Sequence, residues 1–354
     1  MHQRCAHGDK KLNPLSSRKS GLGKLRVASS CPEHHYHRCL YDGMGAGILE
    51  LRAPLDFLAP ATWPQMDVYH LHWPEWVGTG ATREVLPFLR ELRSRGIRIL
   101  STQHNLRPHQ PTPQHEGLYE GVAALVDGVI HHTSRGQAQA REMLPYRHDA
   151  LHAVIPHGHF GNLMRHAESR EVVEKALGLK PCSLRLGILG APRTDKNVLG
   201  FMRAFAQCDR SDLGLLVTSL RPQERSLAPQ DPRIRAELYE FVPRDVYNRY
   251  LASLDVLVFP VDPGTYMTLS GVFADAVAAG MACMGTSWGF LSESLGAACL
   301  EMGDTPDEWT GALNRLSGSK VAQASLAARA LQDRYDWHHS SVATGRLLSA
   351  MMKA

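Results

Sequence analysis

Residues 183–208 read SLRLGILGAPRTDKNVLGFMRAFAQC, and this stretch decides the fold. Its first part, SLRLGILG, is a short apolar run that stops at Gly190 and reads as a buried strand. NVLGFMRAFAQC reads as a helix with one apolar side. Between them lies a short loop carrying Arg193 and Lys196. A buried strand that passes directly into a helix is one βα unit, and repeated units of this kind imply a parallel sheet with right-handed crossovers.

The rhythm extends in both directions. Downstream come strand LGLLVTS, a Pro-rich loop, helix RDVYNRYLASL, strand DVLVFPV, the loop and helix GTYMTLSGVFADAVAAGM, and strands ACMGTS and ACLEMG. Upstream, strands KLRVAS, ILELRA, DVYHLH, IRILST, GVIHHTS and HAVIPHG alternate with helices RCLYDGMGAG, residues 84–95, residues 117–126 and RGQAQAREML. Residues 32–37 read as an interruption before the first helix, and Gly96 stands where a helix end favours positive φ. A polar stretch over residues 159–181 separates the two series. The expected architecture is α/β, two doubly wound Rossmann-like domains in tandem facing a central cleft: an N-terminal domain over 24–160, a linker over 161–182 and a C-terminal domain over 183–330.

Composition bounds the function. The 354 residues suit two domains, and 44% hydrophobic with 21% charged residues is ordinary for a soluble globular chain. A net charge of +4 carries no nucleic-acid footprint. Seven scattered Cys without a C-x-x-C pair suggest neither a disulfide framework nor a zinc site, and fit a cytoplasmic setting. No run is long and apolar enough to span a membrane, so membrane contact is expected to be peripheral at most. Residues 1–23, with Arg4, Lys10, Lys11, Arg18 and Lys19 against Asp9, read as a mobile basic tail.

Doubly wound sheets bind ligands at the carboxyl ends of their strands. Arg193 and Lys196 follow one strand end and precede a helix, where a planar fork and a point charge suit a diphosphate. On this loop alone, ordinary solvated cations remain an equal alternative. Ser270 and Gly271 head the helix that follows strand DVLVFPV, where a small hydroxyl residue and a glycine let an anion approach the free N–H groups of a helix start. A plain N-cap is the competing reading. Taken together, the four residues form an anion cradle that requires no metal and no cofactor.

The segments ILGAPRTDKNVLGFMRAF, VPRDVYNRYLASLDVLVFPV and TLSGVFADAVAAGMACMGTSWGFLSE resemble the second domain of GT-B fold glycosyltransferases of the family 4-like group. Upstream, DVYHLHWPEW, ILSTQHNLRPH, GVIHHTS and HAVIPHG follow the order of the acceptor-domain elements, and RYDWHHSSVATGRLL resembles the closing helix, residues 331–354, that crosses back to the first domain. The resemblance covers nearly the whole chain from Lys24. It implies a nucleoside diphosphate sugar as donor, held by Arg193, Lys196, Ser270 and Gly271, and a donor loop over Met267, Thr268 and Leu269. Two positions that carry glutamates in the family fall on Met267 and Asp275; Asp275 keeps a carboxylate and is the catalytic candidate of the pair. The resemblance also places His104, directly after strand IRILST, within reach of the donor sugar and its phosphate. There an imidazole can bond a hydroxyl or stabilise the leaving group; the competing reading is that His104 and His109 only pin a loop.

On the acceptor side, Trp73, Glu75 and Trp76 combine aromatic faces with a carboxylate, which suits a polyol acceptor, while packing of Trp73 and Trp76 under a loop is an equal alternative. His109, His34 and His35 are further cleft candidates. Among 19 His, His70 and His72 share one strand face, yet no third ligand at diagnostic spacing accompanies them, so no metal is expected. The reading is a metal-independent glycosyltransferase moving a sugar to a hydroxyl acceptor. Two alternatives stay open: a GT-B sugar-nucleotide epimerase, and a noncatalytic sugar-nucleotide-binding subunit.

Overall fold

A computed structural model describes residues 24–44, 47–51, 60–161, 169–237, 242–265 and 269–354. The basic tail, Met267 and Thr268 therefore lie outside the described residues. The first sheet contains β1 (Leu25–Ser29), β2 (Ile48–Leu51), β3 (Val68–Leu71), β4 (Arg98–Thr102), β5 (Gly128–His131) and β6 (Leu151–Val154), in the order β2-β1-β3-β4-β5-β6. The second contains β7 (Leu184–Ile188), β8 (Leu213–Val217), β9 (Ile234–Ala236), β10 (Val256–Phe259), β11 (Ala282–Gly285) and β12 (Cys299–Glu301), in the order β12-β11-β10-β7-β8-β9. All the strand pairs in both sheets are parallel.

The second order is the Rossmann order 3-2-1-4-5-6 counted from β7. Its direction reverses between β7 and β10, so the loops after these two strands flank a crevice at their carboxyl ends. In the first sheet the reversal falls between β1 and β3.

Period-two alternation sorts the strand residues into layers. On β7, Leu184, Leu186 and Ile188 pack with Phe201 and Phe205 of α6 (Val198–Gln207) on one face of the second sheet. On β10, Leu257 and Phe259 point the other way, into a core shared with Phe273 of α8 (Gly271–Ala279). On β3, Tyr69 and Leu71 join the core under α2 (Thr82–Ser94), whereas Val68 faces α1 (His35–Asp42). The core shared by Val68 and Phe273 is continuous between the two sheets, and α12 (Trp337–Met351) contributes Trp337, Leu348 and Met351 to it.

Helix α12 is the crossing element. Ser341 Oγ donates to the Leu40 carbonyl at 2.7 Å and Ser340 Oγ to that of Pro156 at 2.6 Å, which fixes the helix on the first sheet after the chain has left the second. No helix among the described residues is long and apolar enough to cross a membrane.

Three expectations shift. The first helix begins at His35, inside the stretch read as an interruption, because His34 caps it: its Nδ1 accepts from Tyr36 N at 3.2 Å. Residues 161–182 are more than a linker, since they contain α5 (Arg170–Ala176). That helix is tied to the second sheet by Arg170 on Asp255 at 2.7 Å and Glu174 on Arg185 at 3.1 Å. Strand β9, three residues at a sheet edge, sits in what reads as a Pro-rich loop; it has too little apolar content to announce itself.

A Cβ at Gly158 would stand 2.3 Å from the Trp337 ring, so the backbone at Gly158 packs directly against that side chain of α12. Gly158→Ala is expected to destabilise the chain by about 1–3 kcal/mol through this overpacking, read as a lowered midpoint of denaturant unfolding.

Candidate active site

The loops after β7 and β10 are zipped together. Asn197 N donates to the Pro260 carbonyl at 2.7 Å, Asp262 N donates to that of Asp195 at 3.0 Å, and Lys196 bridges antiparallel to Val261. The zip draws the Lys196 side chain inside, where Nζ donates to the carbonyls of Leu189 at 3.3 Å and Ala191 at 3.4 Å. Burial, reinforced by the Arg193 charge, pushes the Lys196 ammonium down to about 8. Gly190, at φ +96°, allows this turn: a Cβ there would meet Val272 of α8 at 2.9 Å.

Arg193 is not a loose cation. Its guanidinium forks onto Asp195 at 2.8 and 2.7 Å and reaches across the cleft to His109 Nδ1 at 2.6 Å. Asp195 also accepts from Thr265 Oγ1 at 3.0 Å. His109 is held neutral, pushed down to about 4 by burial and then by Arg193. Asp195 is a residue that the sequence reading missed, although its place two positions after Arg193 was a usable signal.

Ser270 is the N-cap residue of α8, yet its hydroxyl makes no capping bond. The plain-cap reading is therefore not what the geometry supports. Among the described residues nothing lies within 4 Å of where a Cβ of Gly271 would stand. Gly271 opens instead onto a cavity of about 420 Å³ between the domains, lined among others by Arg193, Gly190, Asp275, Arg244 and His34. One crevice thus brings together Arg193, Gly271, Asp275 and His34, with buried Lys196 directly behind Gly190. Leu269 of the expected donor loop is buried in the shared core.

Asp275 is buried, and burial raises its carboxyl above the usual range while Arg244 opposes the rise. Arg244, at the start of α7 (Arg244–Ala252), donates to Asp275 Oδ1 at 2.8 Å and lies over the rings of Tyr247 and Phe160. The sequence reading passed over Arg244 within VPRDVYNRYL, although a cation opening a helix at the carboxyl edge of a sheet was visible there.

Across the cleft, the acceptor-side candidates divide. Trp73 has φ +37°, the one positive φ outside glycine among the described residues, and its ring stacks on His104 at 4.1 Å and 12°. With 8% of its surface exposed, Trp73 offers no free face to a sugar; Trp76, at 52%, is the exposed aromatic. Glu75 accepts from Tyr119 OH at 2.9 Å and His109 N at 3.4 Å, so it pins the loop that carries His109. His34 stands edge-on to Trp73, at 4.7 Å between ring centroids.

The structure also supplies the third histidine that spacing did not reveal. His37 of α1 meets His70 and His72, and the three offer ring nitrogens within 4.8 Å of one another. Both His70 nitrogens are engaged, Nδ1 by Tyr41 OH at 2.9 Å and Nε2 by Thr102 Oγ1 at 2.8 Å.

Arg244→Met leaves the Asp275 carboxylate buried without its cation and is expected to cost about 1–3 kcal/mol. Adding Asp275→Asn should recover part of the loss, a coupling that a double-mutant cycle of unfolding free energies measures.

No family model matches the chain. It is similar, at 27% identity over 206 residues, to a GDP-mannose:glycolipid 4-beta-D-mannosyltransferase of Xanthomonas campestris pv. campestris; the match covers 55% of this chain and 54% of that protein, so the chain spans about half the length of this curated relative. Among solved structures, sucrose-phosphate synthase of Thermosynechococcus elongatus superposes with a TM-score of 0.69 at 14% identity, covering 93% of this chain and 100% of that one. Anabaena HepE in complex with UDP and glucose gives 0.69 at 14% identity, with 92% and 100% covered. A glycosyltransferase from Rickettsia africae gives 0.67 at 10%, with 93% and 99% covered. Over nearly its whole described length, the chain has the GT-B fold: two Rossmann-like domains closed on one cleft.

Proposed function

We propose that the protein is a nucleotide-sugar-dependent glycosyltransferase that moves a sugar from a nucleoside diphosphate sugar to a hydroxyl acceptor. The observation that carries the reading is the interdomain cavity at the switch point of the second sheet. There Gly271 at the α8 N-terminus, the Arg193 fork and the glycine turn over Lys196 face the same space. Anabaena HepE, which shares the fold, is solved with UDP-glucose, and the curated relative is named as a GDP-mannose-dependent transferase. These relatives support a donor of the same class.

In this reading the diphosphate rests on the first turn of α8. Arg193 exchanges part of its bonding to Asp195 for phosphate oxygens, and Lys196 supplies charge from below. Fixed cations and backbone dipoles then stabilise the leaving diphosphate, with no metal or cofactor required. Closure through Arg193 and His109 keeps water from the activated sugar. Trp76 and His34 lie on the side assigned to the acceptor, and His104 and Asp275 flank the transferring sugar.

Calorimetric titration with a nucleoside diphosphate and with the free nucleoside tests the donor site. Each charge-assisted hydrogen bond is worth about 1.5–3 kcal/mol, so Arg193→Ala or Lys196→Ala is expected to weaken the diphosphate about ten- to a hundredfold and leave the nucleoside unchanged. Gly271→Val should act similarly without disturbing the fold, because its side chain enters open space. Ser270→Ala, which keeps the backbone N–H groups, should be milder. Equal weakening of both ligands would overturn the reading.

The Lys196 ammonium gives a pH dependence. In the free folded protein its charge is lost as pH rises through about 8, whereas an unfolded chain keeps it to about 10.4. Between these values the unfolded state binds more protons, so the free protein gains stability as pH rises. A bound diphosphate needs the charged form. Its affinity is expected to be flat below about pH 7 and to fall by up to about tenfold per unit above pH 8, with proton uptake visible in buffers of different ionisation enthalpy.

A further inference from the structure

Among the described residues, Trp76 is the one exposed tryptophan, and it is held firmly in place. Glu75 ties its loop to Tyr119 OH and to the backbone of His109. Trp76 N donates to the Trp73 carbonyl at 2.9 Å, and a Cβ at Gly80 would stand 2.2 Å from the Glu75 carbonyl oxygen, so the loop closes tightly on itself. Buried Trp73 backs one face of the Trp76 ring, at 4.4 Å between centroids and 30° between planes. Trp73 itself takes φ +37°, so the turn that presents Trp76 is held against backbone strain.

The ring stands at the cleft. Its centroid lies 6.4 Å from that of His34 and 6.4 Å from that of His109. His34 lines the interdomain cavity of about 420 Å³, His109 lines a second cavity of about 290 Å³, and Arg193 lines both. The second cavity takes Asn105 and His109 from the first domain and Asp262 and Thr265 from the second, so it too opens between the domains. A ligand resting on Trp76 therefore stands close to the guanidinium to which the diphosphate is assigned.

We propose that Trp76 is a specificity-determining residue, a platform on which a sugar ring of the acceptor stacks, so that the acceptor is a glycoside and not a simple alcohol. The placing of that sugar as acceptor rests on the glycosyl-transfer reading above. A large apolar ring left in water gains free energy when it is covered, and one already fixed in place loses little freedom on binding. A sugar ring offers the matching shape: its C–H face covers the indole while the hydroxyls at its rim keep water or polar neighbours. A short open-chain alcohol has no such face.

A lipid surface or a partner protein is the competing use of an exposed tryptophan. Either requires a contiguous apolar patch. In this loop Val77 is buried, Glu75 is half-buried, and the exposed neighbours are Gly78 and Thr79. The rings around Trp76 are those of His34, His109 and buried Trp73. A single aromatic face among polar rings suits one sugar ring.

The test is ¹H–¹⁵N correlation on the full chain labelled with ¹⁵N-tryptophan, which follows the indole N–H signals of its 6 Trp. The Trp76 and Trp73 signals are assigned by their loss in Trp76→Phe and Trp73→Phe. The probes are the methyl glycosides of glucose, galactose, mannose, N-acetylglucosamine and glucuronic acid, with glycerol and phosphatidylcholine–phosphatidylglycerol vesicles as controls. At least one glycoside is expected to move the Trp76 signal saturably, glycerol to leave it in place, and the vesicles not to bind. Read on the adjacent Trp73 signal, Trp76→Ala should weaken that glycoside at least about tenfold, whereas Trp76→Phe, which keeps an aromatic face, should bind nearly as the native chain does. A Trp76 signal unmoved by every glycoside, an equal shift with glycerol, native affinity in Trp76→Ala, or vesicle binding lost in Trp76→Ala would each overturn the proposal. The titration needs neither donor nor turnover. A glycoside bound on Trp76 in a protein that binds no nucleoside diphosphate would support the platform and count against the glycosyl-transfer reading alone, whereas a bound diphosphate with no glycoside on Trp76 would overturn the platform alone.

Discussion

The backbone zip between the loops after β7 and β10 is the constraint on which the cleft geometry of the second domain depends. Two strands adjacent at a sheet reversal send their chains to opposite sides, and the crevice between them would stay open if nothing joined the loops. Here Asn197 and Asp262 hydrogen-bond across to Pro260 and Asp195, which buries the stem of Lys196 and lifts Gly190 against α8. A positive charge held under a glycine turn, with a helix start beside it, is costly without an anion. The depressed Lys196 ammonium is the signature of that cost.

The domains are held by contacts of two kinds. The permanent kind is hydrophobic: α12 returns from the second half to insert Trp337 beside Tyr36 and His157 of the first. The other kind is polar and lies at the cleft mouth. There Arg193 meets His109, and Glu293 of α9 (Gly289–Leu295) accepts from the free N–H groups of Ser134 and Arg135 at the start of α4 (Ser134–Met143), at 2.6 and 2.9 Å. Exchanging such surface bonds for bonds to a ligand costs little, whereas undoing the apolar crossing would expose a continuous core. The architecture therefore permits change at the cleft while the crossing stays fixed.

The histidines of the first domain follow from where the sheet faces go. Alternation on β3 turns His70 away from Tyr69 and Leu71, and the same side is roofed by α1 with His37 and Tyr41. In that buried layer His70 bonds the hydroxyls of Tyr41 and Thr102, and His72 meets His37 and His104. Polar rings so buried are tolerated only as members of a bonded network. Trp73, strained into positive φ and stacked on His104, closes the end of the network toward the cleft.

Fold class was legible in the sequence because a parallel α/β sheet is written in local terms: short apolar runs, amphipathic helices, and glycines at the joints. The same local logic marked Arg193, Lys196, Ser270 and Gly271, each sitting at a strand end or helix start that the sequence itself announces. What pairs with them was not legible. Asp195 neutralising Arg193, Arg244 on Asp275, the burial of Trp73 and the arrival of His37 beside His72 all join residues from different elements, and no spacing rule relates them. Side-chain periodicity tells which way a residue faces along its own strand or helix. Which element covers that face, and therefore which charges lose water and which rings touch, is decided only when the sheets are ordered and the last helix crosses back.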